Sequence, residues 1–285
     1  MSAGGYVDAH HHIWDLRTRP QPWVDPVRMA AIARSFSVDD LRAEAAAARV
    51  WQTVVVQTVP VPDETPELLA AAADDPLVAG VVGWVDLTAP DVAAAIDALR
   101  AGCGGELLCG VRHQVQDEAD PEWLDRPAVR RGIAAVAAAG LPFDLLVTQR
   151  QLPAAVRAVR DLPHGVFVLD HLGKPPIAAG DREPWGRYLG QLAALPNTYA
   201  KVSGLITEAE WASWTVADLA PYVDAALASF GPDRLLWGSD WPVCLLAGSY
   251  AGWSAAIDEL LRSLMAQERD AVRAGTARRV YRLPA

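Results

Sequence analysis

Eight short apolar runs punctuate this chain, at residues 6–12, 50–57, 78–87, 107–115, 142–147, 165–171, 198–205 and 235–242. Most are near-continuous rather than alternating, and several are rich in β-branched residues, as in Val54-Val55-Val56. That is the pattern of strands buried on both faces. The segments between them carry helix signals. Ser37-Val38-Asp39-Asp40 can start a helix that runs through an Ala-rich stretch to Arg49. A second covers 63–73, and Ala89-Pro90-Asp91 opens a third with Pro in its first turn. Asp120-Pro121-Glu122 opens a fourth that ends near Gly140. Others cover 150–160, 183–195 and 216–230, and a last helical stretch spans 251–281.

Strand and helix thus alternate through the whole chain, which predicts a parallel sheet with crossover helices. Eight repeats within 285 residues favour a closed (β/α)8 TIM barrel, one domain over 1–285, above an open doubly wound sheet. No G-x-G-x-x-G or P-loop follows any run, so the main reason to expect a nucleotide-binding sheet is missing.

In such a barrel the chemistry collects at the C-terminal ends of the strands. Polar residues here fall mostly there. His10 and His12 close the first run, Gln57 the second, and Arg112 and His113 the fourth. Asp170 and His171 close the sixth, Ser203 lies near the end of the seventh, and Asp240 near the end of the eighth. Of six histidines, His10, His11, His12, His113 and His171 lie at strand ends, whereas a random scatter would put several on helices. His164, before the sixth run, is expected at the opposite end in a structural role.

Side chains two apart on a strand share a face. His10 and His12 are therefore expected to point into the barrel mouth, where two imidazoles can share a metal or a substrate oxygen, while His11 points to the helical layer. Asp240 sits between Trp237 and Trp241, and a carboxylate so placed is paired, metal-bound or chemically employed, or else caps a loop. Arg112 suits a substrate carboxylate or a developing oxyanion, or an ion pair with a barrel acid. His113 should face away from it. Of eleven tryptophans, Trp14, Trp23, Trp84 and Trp241 lie at or beyond strand ends and could wall a pocket for a sugar-like ring. Trp51, Trp185 and Trp237 are expected in the core.

Composition narrows the partners. Net charge is −10 with no dense Lys/Arg block, so nucleic acid and anionic membrane are not expected. No apolar stretch reaches the roughly 18 residues of a membrane span. Cys103, Cys109 and Cys244 show no paired spacing and read as free thiols in a reducing compartment. With no secretory leader visible, the cytoplasm is the expected compartment.

The set D-A-H-x-H-x-W-D near the start, G-V-R-H, L-D-H-L-G-K-P, K-V-S-G-L and W-G-S-D-W-P resembles the amidohydrolase-2 group of the amidohydrolase superfamily, and within it the sugar-lactonase branch. The resemblance covers nearly the whole chain. It implies a hydrolase that opens an aldono-type lactone to the hydroxy acid. Asp240 would be general base and then general acid. His10, His12 and His171 would polarise the carbonyl or hold a metal, and Arg112 would hold the substrate. Many superfamily members carry a metal-binding histidine after the fifth strand and some a bridging lysine or glutamate after the fourth. Here 142–147 has no histidine and the fourth run offers Arg112. One Zn2+ on His10, His12, His171 and Asp240 is thus the most the resemblance implies, and chemistry without a metal stays open. A metal-dependent decarboxylase of an acidic substrate and a non-catalytic ligand-binding barrel are the alternatives.

Overall fold

The computed structural model describes residues 5–284. Eight parallel strands follow one another around a single sheet in sequence order. They are β1 (Tyr6–His11), β2 (Val50–Val56), β3 (Val78–Gly83), β4 (Leu108–His113), β5 (Phe143–Leu145), β6 (Phe167–Leu169), β7 (Thr198–Val202) and β8 (Leu235–Trp237). The ring joins β8 to β1 at its C-terminal rim, where Asp240 N–H donates to the His10 carbonyl (2.8 Å) and His12 N–H to that of Trp241 (2.7 Å). The expected (β/α)8 TIM barrel is the fold.

The helices are α1 (Val38–Ala47), α2 (Glu64–Ala73), α3 (Val92–Ala101), α4 (Pro127–Ala138), α5 (Leu152–Asp161), α6 (Trp185–Ala193), α7 (Leu205–Glu208), α8 (Val216–Phe230), α9 (Tyr250–Leu260), α10 (Ala266–Asp270) and α11 (Thr276–Tyr281). Side-chain caps mark several starts: Ser37 with Asp40 on α1, Asp91 on α3 and Ser249 on α9. Three expectations need correction. Pro90 lies before the Asp91 cap, outside the first turn of α3. The fourth helix starts at Pro127, not near Asp120. Arg126 is extended (φ −59, ψ 131), as a residue before proline prefers, so 120–126 cannot join the helix. The last helical stretch is broken at Met265, which is extended, and again by a π-helical turn at Ala271–Gly275.

Two apolar layers hold the barrel. Strand and helix side chains pack in the outer one around residues such as Ile96, Ile133, Leu152 and Trp185. Inside the ring, Val7, Ala9, Val54, Val56, Val168 and Leu236 meet Ala277, Val280 and Tyr281 of α11, which plugs the end away from the mouth. Trp185 and Trp237 are fully buried as expected, but Trp51 is 65% exposed on the outside of β2. Among the described residues no helix is long and apolar enough to cross a membrane.

Candidate active site

The segment after β8 folds back onto β1 because Asp8 binds it. The buried Asp8 carboxylate accepts from the backbone N–H groups of Ser239 (2.7 Å) and His10 (3.1 Å) and from the Tyr250 hydroxyl (2.9 Å). Burial nevertheless pushes this acid up to about 6, against those donors. The β1–β2 register is irregular between Asp8 and His11. Past that point His11 turns outward to the Thr53 hydroxyl (2.9 Å), while His10 and His12 face the mouth. Gly238 makes the crossing possible: a Cβ there would lie 2.6 Å from the His10 Cβ.

His10, His12, His171 and Asp240 converge. The Nε2 atoms of His10 and His12 are 3.2 Å apart, and Asp240 Oδ1 lies 3.7 Å from the first and 3.4 Å from the second. His171 Nε2 is 4.0 Å from the same oxygen. Asp240 (φ 56) and His171 (φ 53) both hold left-handed backbone, which costs a non-glycine residue on the order of 1–3 kcal/mol. Gly204, also left-handed at φ 62, lets the two approach. A Cβ there would sit 2.6 Å from His171 Nδ1 and 3.0 Å from Asp240 Oδ2.

Neighbours fix the protons. His12 Nδ1 faces the Val56 carbonyl at 2.8 Å, so it carries hydrogen and leaves Nε2 bare. His10 Nδ1 faces Asp170 Oδ1 (3.4 Å), and its Nε2 faces Arg112 Nη1 (3.2 Å), a group that only donates. Lys201 Nζ, also only a donor, approaches Nδ1 (3.2 Å), so it is the carboxylate nearer to Nδ1 (Asp170, 3.4 Å) than the one at Nε2 (Asp240, 3.7 Å) that favours hydrogen on Nδ1 and a bare Nε2. His171 Nδ1 pairs with the Ser203 hydroxyl at 2.9 Å. Burial holds His171 down to about 4, against the pull of Asp240, and sends His10 well below 6.5, helped by Lys201. Burial would raise Asp240, but a proton on His171 or His12 is drawn to its charge, Lys174 adds to that pull, and on balance the carboxyl ends below its ordinary value. At neutral pH a carboxylate therefore stands beside neutral His10 and His171.

Bare nitrogens so close repel unless a cation or proton lies between them. The separations of 3.2, 3.4 and 3.7 Å suit one ion. Tetrahedral zinc with bonds of roughly 2.0–2.2 Å has ligand–ligand edges of about 3.4 Å. His10, His12 and Asp240 therefore fit a divalent metal. A second group, His10, Asp170 and His171, shares His10, and Asp170 is already held by Arg112 and Lys201.

The mouth opens into a cavity of about 340 Å³ lined by His12, His171, Asp240 and Arg112 among others. Trp23 lines it. The other aromatic expectations are corrected. Trp14 is buried, donates to the Arg34 carbonyl (2.7 Å) and lines a neighbouring cavity instead. Trp84 binds His113 Nδ1 (3.0 Å) beside a third cavity, and Trp241 packs edge-on against Phe36 in the core. Gln57 does not face the cavity; it lies under Arg112, its carbonyl accepting from Nη2 and its amide donating to the Arg112 carbonyl. Arg112 lines the cavity and is also the ion-pair partner of Asp170 (3.1 Å). His113 faces away, stacked on Trp123 at 4.2 Å.

Sequence reasoning missed the charges beneath the site. Lys201 on β7 is wholly buried, 2.6 Å from Asp144 on β5, 3.0 Å from Asp170 and 3.2 Å from His10 Nδ1. Tyr281 of α11 donates to Asp144 (2.7 Å). Burial opposes the lysine's charge, yet the two acids outweigh it and raise its pKa. A lysine inside an apolar strand, Tyr199-Ala200-Lys201-Val202, was the available signal.

Known proteins share this frame. Residues 7–283 match the family model described as Amidohydrolase. L-fucono-1,5-lactonase of Burkholderia ambifaria is 41% identical over 97% of this chain and 95% of its own length. The same enzyme of Burkholderia multivorans is 41% identical over 98% and 96%. A crystal structure of an amidohydrolase from Burkholderia multivorans with bound zinc superposes with a TM-score of 0.92 at 38% identity, covering 99% of this chain and 100% of that one.

Proposed function

The chain belongs to the amidohydrolase family and is a lactone hydrolase; we propose that it opens a sugar-derived 1,5-lactone to the hydroxy acid with Asp240 as the proton carrier. The observation that carries this reading is the Asp240 carboxylate, ionised and turned into the cavity among His10, His12 and His171.

The lactone seats with its carbonyl toward Arg112 and its ring toward Trp23. Asp240 takes a proton from water as the water oxygen attacks the carbonyl carbon. The oxyanion that forms is met by Arg112, whose guanidinium is held in place by Asp170 and the Gln57 carbonyl. Collapse breaks the bond from carbonyl carbon to ring oxygen, and Asp240 returns its proton to the departing alkoxide. His10, His12 and Asp240, with His171 beside them, would hold a divalent metal, which would supply Lewis acidity toward the carbonyl. A lactone is a reactive ester, so Asp240 and Arg112 carry most of the demand.

The test is the stoichiometry of turnover on L-fucono-1,5-lactone and related aldonolactones. One acid equivalent per lactone opened, with no carbon dioxide, supports the reading. Carbon dioxide release from an aromatic acid, with no lactone opened, would replace it by decarboxylation.

A further inference from the structure

The cavity lining is chemically divided. Trp23 and Trp211 line it with their indole N–H groups already spent, on Gln21 Oε1 (2.8 Å) and the Thr207 carbonyl (2.9 Å). They offer ring carbons only, and Arg28 already lies over one face of Trp211 (5.2 Å). Val243 and Leu246 add to this apolar part. The polar part holds Lys174 and Glu208, which come from different loops and meet at 3.1 Å. Lys174 ends the turn that carries His171, and its N–H donates to the His171 carbonyl (2.9 Å). Glu208 ends α7, which Gly204 precedes, and its carbonyl accepts from Ala178 N–H (3.0 Å). Both side chains are thus mounted on the segments that place the proposed reacting groups, and both stay about a quarter exposed (24% and 25%).

Resting on the lactonase reading, we propose that Lys174 and Glu208 are the specificity residues of this site, gripping the ring hydroxyls of the lactone while Trp23 and Trp211 cover its apolar face. An ion pair this exposed adds little to stability, so stability does not account for its position. Its chemistry suits a polyol. The ammonium has three donors and the carboxylate about four acceptor positions, and their mutual contact uses one of each. What remains matches neighbouring hydroxyls, each of which both donates and accepts. A lactone without hydroxyls leaves the pair facing apolar ring carbons, and the site discriminates against it.

The experiment compares an aldono-1,5-lactone with the hydroxyl-free δ-valerolactone in the wild type, Glu208→Gln and Lys174→Met. We expect the ratio of kcat/KM, sugar lactone over valerolactone, to fall about ten- to hundredfold in each variant. A parallel loss on both substrates, or an unchanged ratio, overturns the proposal. Should valerolactone turn over too slowly to measure, inhibition constants of the two ring-opened acids supply the ratio, with the same fall expected and the same two outcomes against it. The lactonase reading fails separately, when the wild type opens neither lactone.

Discussion

At the scale of single residues, protonation decides what the site can do. Asp240 must be ionised to accept a proton, and its neighbours hold it below 3.8. Activity is therefore lost only as pH falls through that low value. We predict kcat/KM flat from about pH 8 to pH 5, with the acid limb at or below the ordinary carboxylate range. A limb near pH 6.5 would instead name a histidine as base. The bare nitrogens make a second prediction. Metal analysis should find at most one equivalent of zinc per chain, reduced in His12→Ala; two equivalents would contradict the shared role of His10. His10, His12, His171 and Asp240 were legible in the sequence because strand ends and the two-residue period locate them. Trp14, Trp84 and Trp241 were misread because position at a strand end does not say which way a ring turns. Their partners Arg34, His113 and Phe36 decided it.

At the scale of elements, glycines set how closely the site can assemble. Gly204 immediately precedes α7 and abuts both His171 and Asp240. Gly204→Ala must displace one of them, and we predict about a hundredfold loss in kcat, as for a displacement near 1 Å, with the far-UV circular dichroism spectrum retained. An active variant would show that the left-handed turn tolerates a side chain and that the spacing is not critical. The strands were legible because continuous apolar runs leave few other assignments. Their ends were less so: the run 78–87 yields a strand only to Gly83, since the Trp84 N–H donates to the Thr65 hydroxyl (2.8 Å) rather than to a neighbouring strand. The start of α4 was misplaced because Asp120-Pro121 and Arg126-Pro127 both look like helix openings, and only the extended Arg126 separates them.

At the scale of the whole molecule, Asp144, Lys201, Asp170 and Arg112 form an alternating chain of charge through the barrel interior, from Tyr281 to the cavity. Lys201→Met would leave two buried acids short of a cation. We predict a loss of about 3–5 kcal/mol, read from urea unfolding; a change under about 1 kcal/mol would mean the acids are neutralised another way. This interior charge was the least legible part of the sequence, since one charged residue per strand gains meaning only when the ring closes and brings β5, β6 and β7 together. The barrel itself was readable from eight alternations. All three scales meet in the proposal that the barrel mouth opens a sugar lactone through Asp240. Acid release from L-fucono-1,5-lactone, followed for the wild type and for Asp240→Asn under identical conditions, decides whether it does. We predict turnover by the wild type and a roughly 10²- to 10⁴-fold lower kcat/KM in the variant with its fold intact; equal rates would contradict a proton-carrying role for Asp240.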